Sequence, residues 1–347
     1  MKKPAIELEI YHKLSETNSQ EWDDISNGQP FQSYQWYAYG EKVLTESGDL
    51  PHYLMLHRDG KPIARAAFWW ISNEPLPIPS LPLRKALESF QRRWPLLICR
   101  SPLANISGLI LPEAPLRGAC LELITQSAQQ ELRRRHGSFM MFDFLEISQV
   151  NWPDWPAEFQ SITVADPGTQ LEAQWDDFEG YLAWSSKKNR RNYKHILSLA
   201  DKSGLDLTYR DSVSDMEATL SLIRNVERKH RSAPNPWFRS MLDHMHMIDS
   251  NWLEVHQGQK LVGCLLLLRD GQTQYATAIG LAEDSHDVYL LLLFTALQIA
   301  CEKKVKRIRL GSGAYEAKRR LGFELEFNNS VYFYSPNPIL RLAGRLF

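Results

Sequence analysis

The chain has 347 residues, 44% hydrophobic and 23% charged, with 40 basic and 41 acidic side chains and a formal net charge of -1. That length suits about two globular domains, and the balanced charge excludes a global field for nucleic acid or an anionic membrane, leaving only local patches. The cysteines Cys99, Cys120, Cys264 and Cys301 are far apart and form no C-x-x-C pair, which argues against a zinc site or a disulfide framework and fits reduced thiols in a cytoplasmic protein.

The N-terminal MKKPAIELEIYHKL carries no apolar h-region and does not read as a secretory signal. Residues 6–11 alternate like a strand. Residues 17–26 read as a helix with Trp22 and Ile25 inward, and 34–44 as a second with Trp36, Tyr39 and Val43 on one side. Strands at 52–57 and 62–71 flank Arg58-Asp59-Gly60-Lys61, a strong hairpin signal. The Pro-rich residues 75–82 read as loop, 113–136 as a long helix, 139–147 as an apolar strand and 161–164 as a short one. A boundary is expected near 165, in a stretch holding Pro153, Pro156, Pro167 and Gly168.

The second half repeats the element order. A helix is expected over 178–202, a strand over 205–209, and helices over 214–230 and 236–249. Strands follow at 252–256, 261–268 and 274–279, then a helix at 288–303. That helix includes the longest apolar run, 289–300, which Thr295 and Gln298 interrupt and which is too short to span a bilayer. A strand at 305–310, a short helix at 314–321 and a strand at 331–334 complete the pattern.

Several residues stand out on their own chemistry. Gly311-Ser312-Gly313 lets a ligand approach the backbone at a strand end. Lys318 beside it suits stabilisation of an oxyanion or a held anion, against the plainer reading of a solvated basic turn. Tyr315 is a candidate acid and Glu316 a candidate base, against packing and solvent respectively. Lys187, Arg190, Arg191 and Lys194 share a basic helix able to grip phosphates, or simply to stay solvated. Trp237 is a candidate pocket wall, with core packing the stronger alternative. His286 is a weak candidate base, and His244 and His246, two apart on a helix, do not chelate together; no metal is expected. The tail from Pro338 to Phe347 is basic and amphipathic and suits at most a peripheral membrane contact.

Residues 252–325, WLEVHQGQKLVGCLLLLRDGQTQYATAIGLAEDSHDVYLLLLFTALQIACEKKVKRIRLGSGAYEAKRRLGFEL, resemble the C-terminal lobe of Fem-type peptidoglycan-bridge aminoacyltransferases and of their CelD-like acyltransferase relatives in the GNAT superfamily. Residues 185–207, SSKKNRRNYKHILSLADKSGLDL, are similar to the basic helix that opens that lobe, and PFQSYQWYAYG at 30–40 to the F-Q-S/T-x-x-W start of the first. RSPLANISGLIL at 100–111 sits where relatives carry a Pro/Gly segment.

The resemblance implies an α/β (α+β) fold of tandem GNAT-like lobes, 1–165 and 166–347, each a mixed, mostly antiparallel sheet flanked by helices. It implies acyl or aminoacyl transfer to an amine of a cell-wall-type precursor or another metabolite; taken with the residue chemistry above, Lys318, Tyr315 and Glu316 are expected to be catalytic and Gly311, Gly313, Lys187, Arg190, Arg191, Lys194 and Trp237 to bind substrate. No resident cofactor is implied; acyl-CoA or aminoacyl-tRNA is the possible donor. The alternatives are a non-catalytic module recognising such a precursor, or an acyl-CoA-dependent enzyme of exopolysaccharide synthesis. Two departures bear on this. The pyrophosphate loop Q/R-x-x-G-x-G/A is replaced by Glu283-Asp284-Ser285-His286-Asp287, whose three carboxylates repel phosphate. Gly40 also stands where some relatives place a lysine for a nucleotide-linked precursor.

Overall fold

Asp59 and Gly60 both take positive φ, and the hairpin they turn is central to the first sheet. In the computed structural model, which describes residues 6–75, 80–164, 166–283 and 285–343, the chain divides into two compact units. The first holds the described residues up to Glu74, those of 80–166 and those from Phe327 onward; the second is built on Pro167–Glu326.

The first unit begins with β1 (Ile6–Tyr11), α1 (Ser19–Ser26), α2 (Tyr34–Glu46), β2 (Leu50–Arg58) and β3 (Lys61–Ile71). It continues with α3 (Leu81–Arg93), β4 (Leu96–Cys99), β5 (Leu109–Ile110), α4 (Leu116–Arg134), β6 (Met140–Leu145), α5 (Ile147–Val150) and β7 (Gln160–Thr163). Side-chain caps start the first two helices: Asn18 accepts from the amides of Gln20 and Glu21, and Ser33 from that of Trp36. The aromatic spacing in these helices builds a buried box around Arg65. Its guanidinium lies 3.9 Å from the Trp22 ring centroid and donates to Trp22 O, Ser26 Oγ, Gln32 O and Gln32 Oε1. Burial pulls the Arg65 pKa down to about 10.

The second unit comprises β8 (Thr169–Glu172), α6 (Phe178–Trp184), α7 (Lys187–Lys202), β9 (Leu205–Arg210), α8 (Met216–Lys229), α9 (Phe238–Asp243), β10 (Asp249–Gln257), β11 (Lys260–Asp270), β12 (Thr273–Leu281), α10 (His286–Glu302), β13 (Arg307–Leu310), α11 (Tyr315–Arg320) and β14 (Glu324–Leu325). Its sheet runs β14-β8-β13-β12-β11-β10-β9. Among the described residues only the β12–β13 pair of this sheet is parallel, joined through α10. That helix is apolar nearly all round because it lies inside the main core, with Leu292, Leu297 and Ala300 packed among Leu253, Val255, Leu265, Ala276 and Ile308.

The chain then returns to the first unit with β15 (Ser330–Tyr334) and α12 (Pro338–Ala343). Strand β15 lies between β6 and β7, antiparallel to both, and completes the order β1-β2-β3-β4-β6-β15-β7, with β5 beside β3. Both units are mixed, mostly antiparallel sheets flanked by helices, the arrangement the sequence leads one to expect.

Several elements differ from the sequence reading. The sequence reading places everything after 166 in the second lobe, whereas β15 pairs with the first sheet. The expected helix over 178–202 breaks at Ser185, and Ser186 caps a new one by accepting from the Asn189 amide. The expected helix over 236–249 shortens to α9, because Asp249 already pairs with Arg269 in the β-ladder. Helices α3 and α5 and strands β4, β5, β8 and β14 are additions. Of the expected loop at 75–82, residues 76–79 lie outside the described residues, and α3 occupies its end.

Candidate functional site

The parallel ladder in the second unit stops short, which leaves a gap in the pairing along β12. Strands β12 and β13 are in register from Thr273↔Arg307 to Ala276↔Leu310, where the ladder ends, while β12 runs on to Leu281. On its other side β12 carries a bulge: Thr277 faces Leu266 and Gly280 faces Cys264, so Ala278 and Ile279 oppose Leu265 alone. Ala278 takes φ +50°, a left-handed conformation that costs a non-glycine residue free energy. Bulges of this kind re-aim backbone groups beside active sites. The carboxyl ends of parallel strands are also where open α/β sheets take ligands.

The opposite lip of the gap is Gly311-Ser312-Gly313. Gly313 has φ +80°, whereas Gly311 has ordinary dihedrals and room around it: a side-chain Cβ there would first meet the Tyr275 hydroxyl, at 3.9 Å. Lys318 lies beneath this turn, 5% exposed. Its ammonium donates to the carbonyls of Gly311 at 2.5 Å and Ser312 at 3.2 Å. Burial pulls its pKa down to about 8, and the Glu326 carboxylate opposes that shift.

Sequence reasoning missed three further residues here. Arg309 on β13 and Tyr275 on β12 are register partners, with the guanidinium 5.5 Å from the phenol ring centroid. Glu326 grips Arg309 through both carboxylate oxygens, Nη2 to Oε2 at 2.9 Å. Tyr275 is held protonated by burial, which raises its pKa. Only the alternation of Arg307, Arg309 and their apolar neighbours on a short strand hinted at a buried cation.

The expected residues divide. Gly311, Gly313 and Lys318 come together at the gap. Tyr315 is half-buried on α11 and donates to the Pro167 carbonyl at 2.8 Å. Glu316 points outward at 80% side-chain exposure and pairs with Arg320. On α7, Lys187, Arg191 and Lys194 are exposed. Arg190 turns back to donate to the carbonyls of Leu182, Ala183 and Ser185, so it closes the end of α6. Trp237 is buried at the start of α9. At the start of α10, Asp287 lies in the first turn beside exposed His286 and Glu283, while Asp284 is outside the described residues.

The first unit has the matching strand pair, β4 and β6, parallel from Leu97↔Met140 to Cys99↔Phe142. Beyond that point Arg100 reaches Asp143 at 3.4 Å and also grips Glu74. Within the first unit, a buried ion cluster therefore follows the end of its own parallel ladder. Burial there, with Glu74 beside it, lifts the Asp143 pKa to about 6 despite the Arg100 charge.

Residues 187–319 match the family model described as the acetyltransferase (GNAT) domain. That match lies wholly within the second unit and marks this part of the chain as GNAT-like. Among solved structures, the chain is similar to FemX, at 12% identity and TM-score 0.66 over 96% of this chain and 99% of that one. It is also similar to a tandem GNAT protein from the clavulanic acid biosynthesis pathway, at 11% identity and TM-score 0.51 over 96% and 99%. A third is L-PGS from Bacillus licheniformis, at 10% identity and TM-score 0.51 over 95% of each chain. These likenesses establish the two-lobed fold. No curated protein matches the sequence significantly. Among the described residues no helix is long and apolar enough to cross a membrane.

Proposed function

We propose that the second unit transfers an acyl or aminoacyl group from an activated ester or thioester to an amine, in the cytoplasm, with the carbonyl seated between β12 and β13. The end of the β12–β13 ladder at Ala276 and Leu310, beside the bulge at Ala278, supports this reading. An amine nitrogen attacks the carbonyl carbon, and the resulting oxyanion is met by backbone N–H groups freed from the β12–β13 ladder. The C–O or C–S bond then breaks, and the proton released by the amine passes to the leaving oxygen or sulfur.

Lys318 acts in this scheme as a positioning residue. Its ammonium fixes the Gly311 and Ser312 carbonyls, and so the direction of the turn's amides. Tyr275, protonated and beside Gly311, is the phenol assigned to the leaving group, and Tyr315 donates to the Pro167 carbonyl.

The donor is read as aminoacyl-tRNA rather than acyl-CoA. Glu283 and Asp287 at the start of α10 oppose a pyrophosphate, and the exposed cations of α7 suit a polyanion. FemX and L-PGS as structural neighbours are compatible with this, and an amine of a cell-wall-type precursor is the favoured acceptor. The test uses Gly311→Val, which fills the gap at a position with space for a side chain. Loss of aminoacyl transfer at an unchanged unfolding midpoint is expected. An undiminished rate would sink the assignment, and transfer from acyl-CoA alone would overturn the donor.

A further inference from the structure

Helices α3 and α12 are both tied to one strand end of the first unit, and both expose apolar side chains near cations. Helix α3 carries Arg84, Lys85, Arg92 and Arg93 against the single carboxylate of Glu88. Leu83, Leu87, Phe90 and Trp94 recur at helical spacing along it, and Leu83 and Trp94 stay half in solvent. The Phe90 and Trp94 rings pack with centroids 4.9 Å apart, which holds the indole at the helix end. On α12, Ile339 and Leu342 share a face and are 75% and 64% exposed. Arg341 lies 5.7 Å from the Tyr334 ring centroid, and the sequence continues with Arg345 and no acid.

Hydrogen bonds tie the two helices to one place. Ser138 Oγ donates to the Trp94 carbonyl at 2.9 Å, and Ser335 Oγ donates to the Ser138 carbonyl at 2.7 Å. The end of α3 and the start of α12 therefore flank the same strand end.

We infer that this edge docks on an anionic lipid surface, with Trp94, Ile339 and Leu342 entering the headgroup boundary and Arg92, Arg93 and Arg341 meeting lipid phosphates. Exposed apolar side chains flanked by cations are the chemistry of interfacial helices. The charge also selects among occupants. A second copy of this chain would set a cationic face against itself, whereas an anionic surface complements it. With an overall charge of -1, the excess on α3 is local and not a property of the whole surface.

The experiment sediments the full chain with vesicles of phosphatidylcholine alone and of phosphatidylcholine mixed with phosphatidylglycerol. Binding to the anionic vesicles, weakened by added salt, is expected. Arg92→Gln with Arg93→Gln should lower that binding about tenfold. Ile339→Ser with Leu342→Ser should lower it about as much while leaving the unfolding midpoint unchanged, since both side chains stand in solvent. Four results overturn the proposal: wild-type protein left in the supernatant with both vesicles, equal binding to both, variants that bind as wild type, or a dimer in sedimentation velocity that the serine variant dissolves.

Discussion

Glu326 closes on Arg309 from seventeen residues away, and the two side chains are 5% and 4% exposed. Both charges are out of water, so each depends on the other. Removing one partner of a buried pair leaves an uncompensated charge, which costs about 3–5 kcal/mol, while replacing both by apolar groups costs far less. Glu326→Gln is therefore expected to lower urea-unfolding stability by that amount, and Arg309→Met with Glu326→Met to recover most of it. Equal losses in the single and double variants would show that the pair is not coupled.

The same carboxylate acts on Lys318, whose pKa burial holds near 8. As pH rises through that value the ammonium loses its proton, and its bonds to the Gly311 and Ser312 carbonyls lose their charge assistance. The transfer rate should fall on an alkaline limb near pH 8. Lys318→Arg should carry that limb beyond reach, and Glu326→Gln should move it lower. The stability effect has the opposite sense. The folded value lies below the ordinary lysine value of 10.5, so unfolding takes up a proton between the two, and this group's contribution to stability increases as pH rises through about 8 to 10.5. A rate profile flat across pH 8 that Lys318→Arg leaves unchanged would remove Lys318 from the mechanism.

Much of this was legible in the chain, and the rest was hidden for identifiable reasons. The Asp59-Gly60 turn and the spacing of Trp22 and Trp36 report local geometry, and they specify the hairpin and the first two helices. Gly311, Gly313 and Lys318 lie within one turn of chain, so proximity in sequence became proximity in space. Arg309 and Glu326 are distant in sequence and meet only because β14 returns beside β8 and β8 beside β13. The apolar pattern of Val331–Tyr334 announces a strand but does not say which sheet receives it. The run of prolines at 75–82 masked the start of α3, and the four residues of β8 are too few to show a period. Arg190 looked like its neighbours because a count of cations does not record which one folds back on the preceding helix.

That last distinction gives a direct test of the basic helix. Lys187, Arg191 and Lys194 are exposed on α7, while Arg190 is occupied by three carbonyls at the end of α6. If α7 grips the phosphates of a tRNA donor, each cation that contacts one releases a counterion on binding. Replacing Lys187, Arg191 and Lys194 with Gln should flatten the dependence of log affinity on log salt by about 2 units and raise KM for aminoacyl-tRNA, with kcat and the unfolding midpoint nearly unchanged. Arg190→Gln should do the reverse: stability falls by about 1–3 kcal/mol as the carbonyls lose their donor, and the salt slope stays put. Charge alone predicts the same outcome for all four residues, so a triple variant that binds tRNA with the wild-type salt slope would leave α7 a solvated face and would count against a tRNA-borne donor.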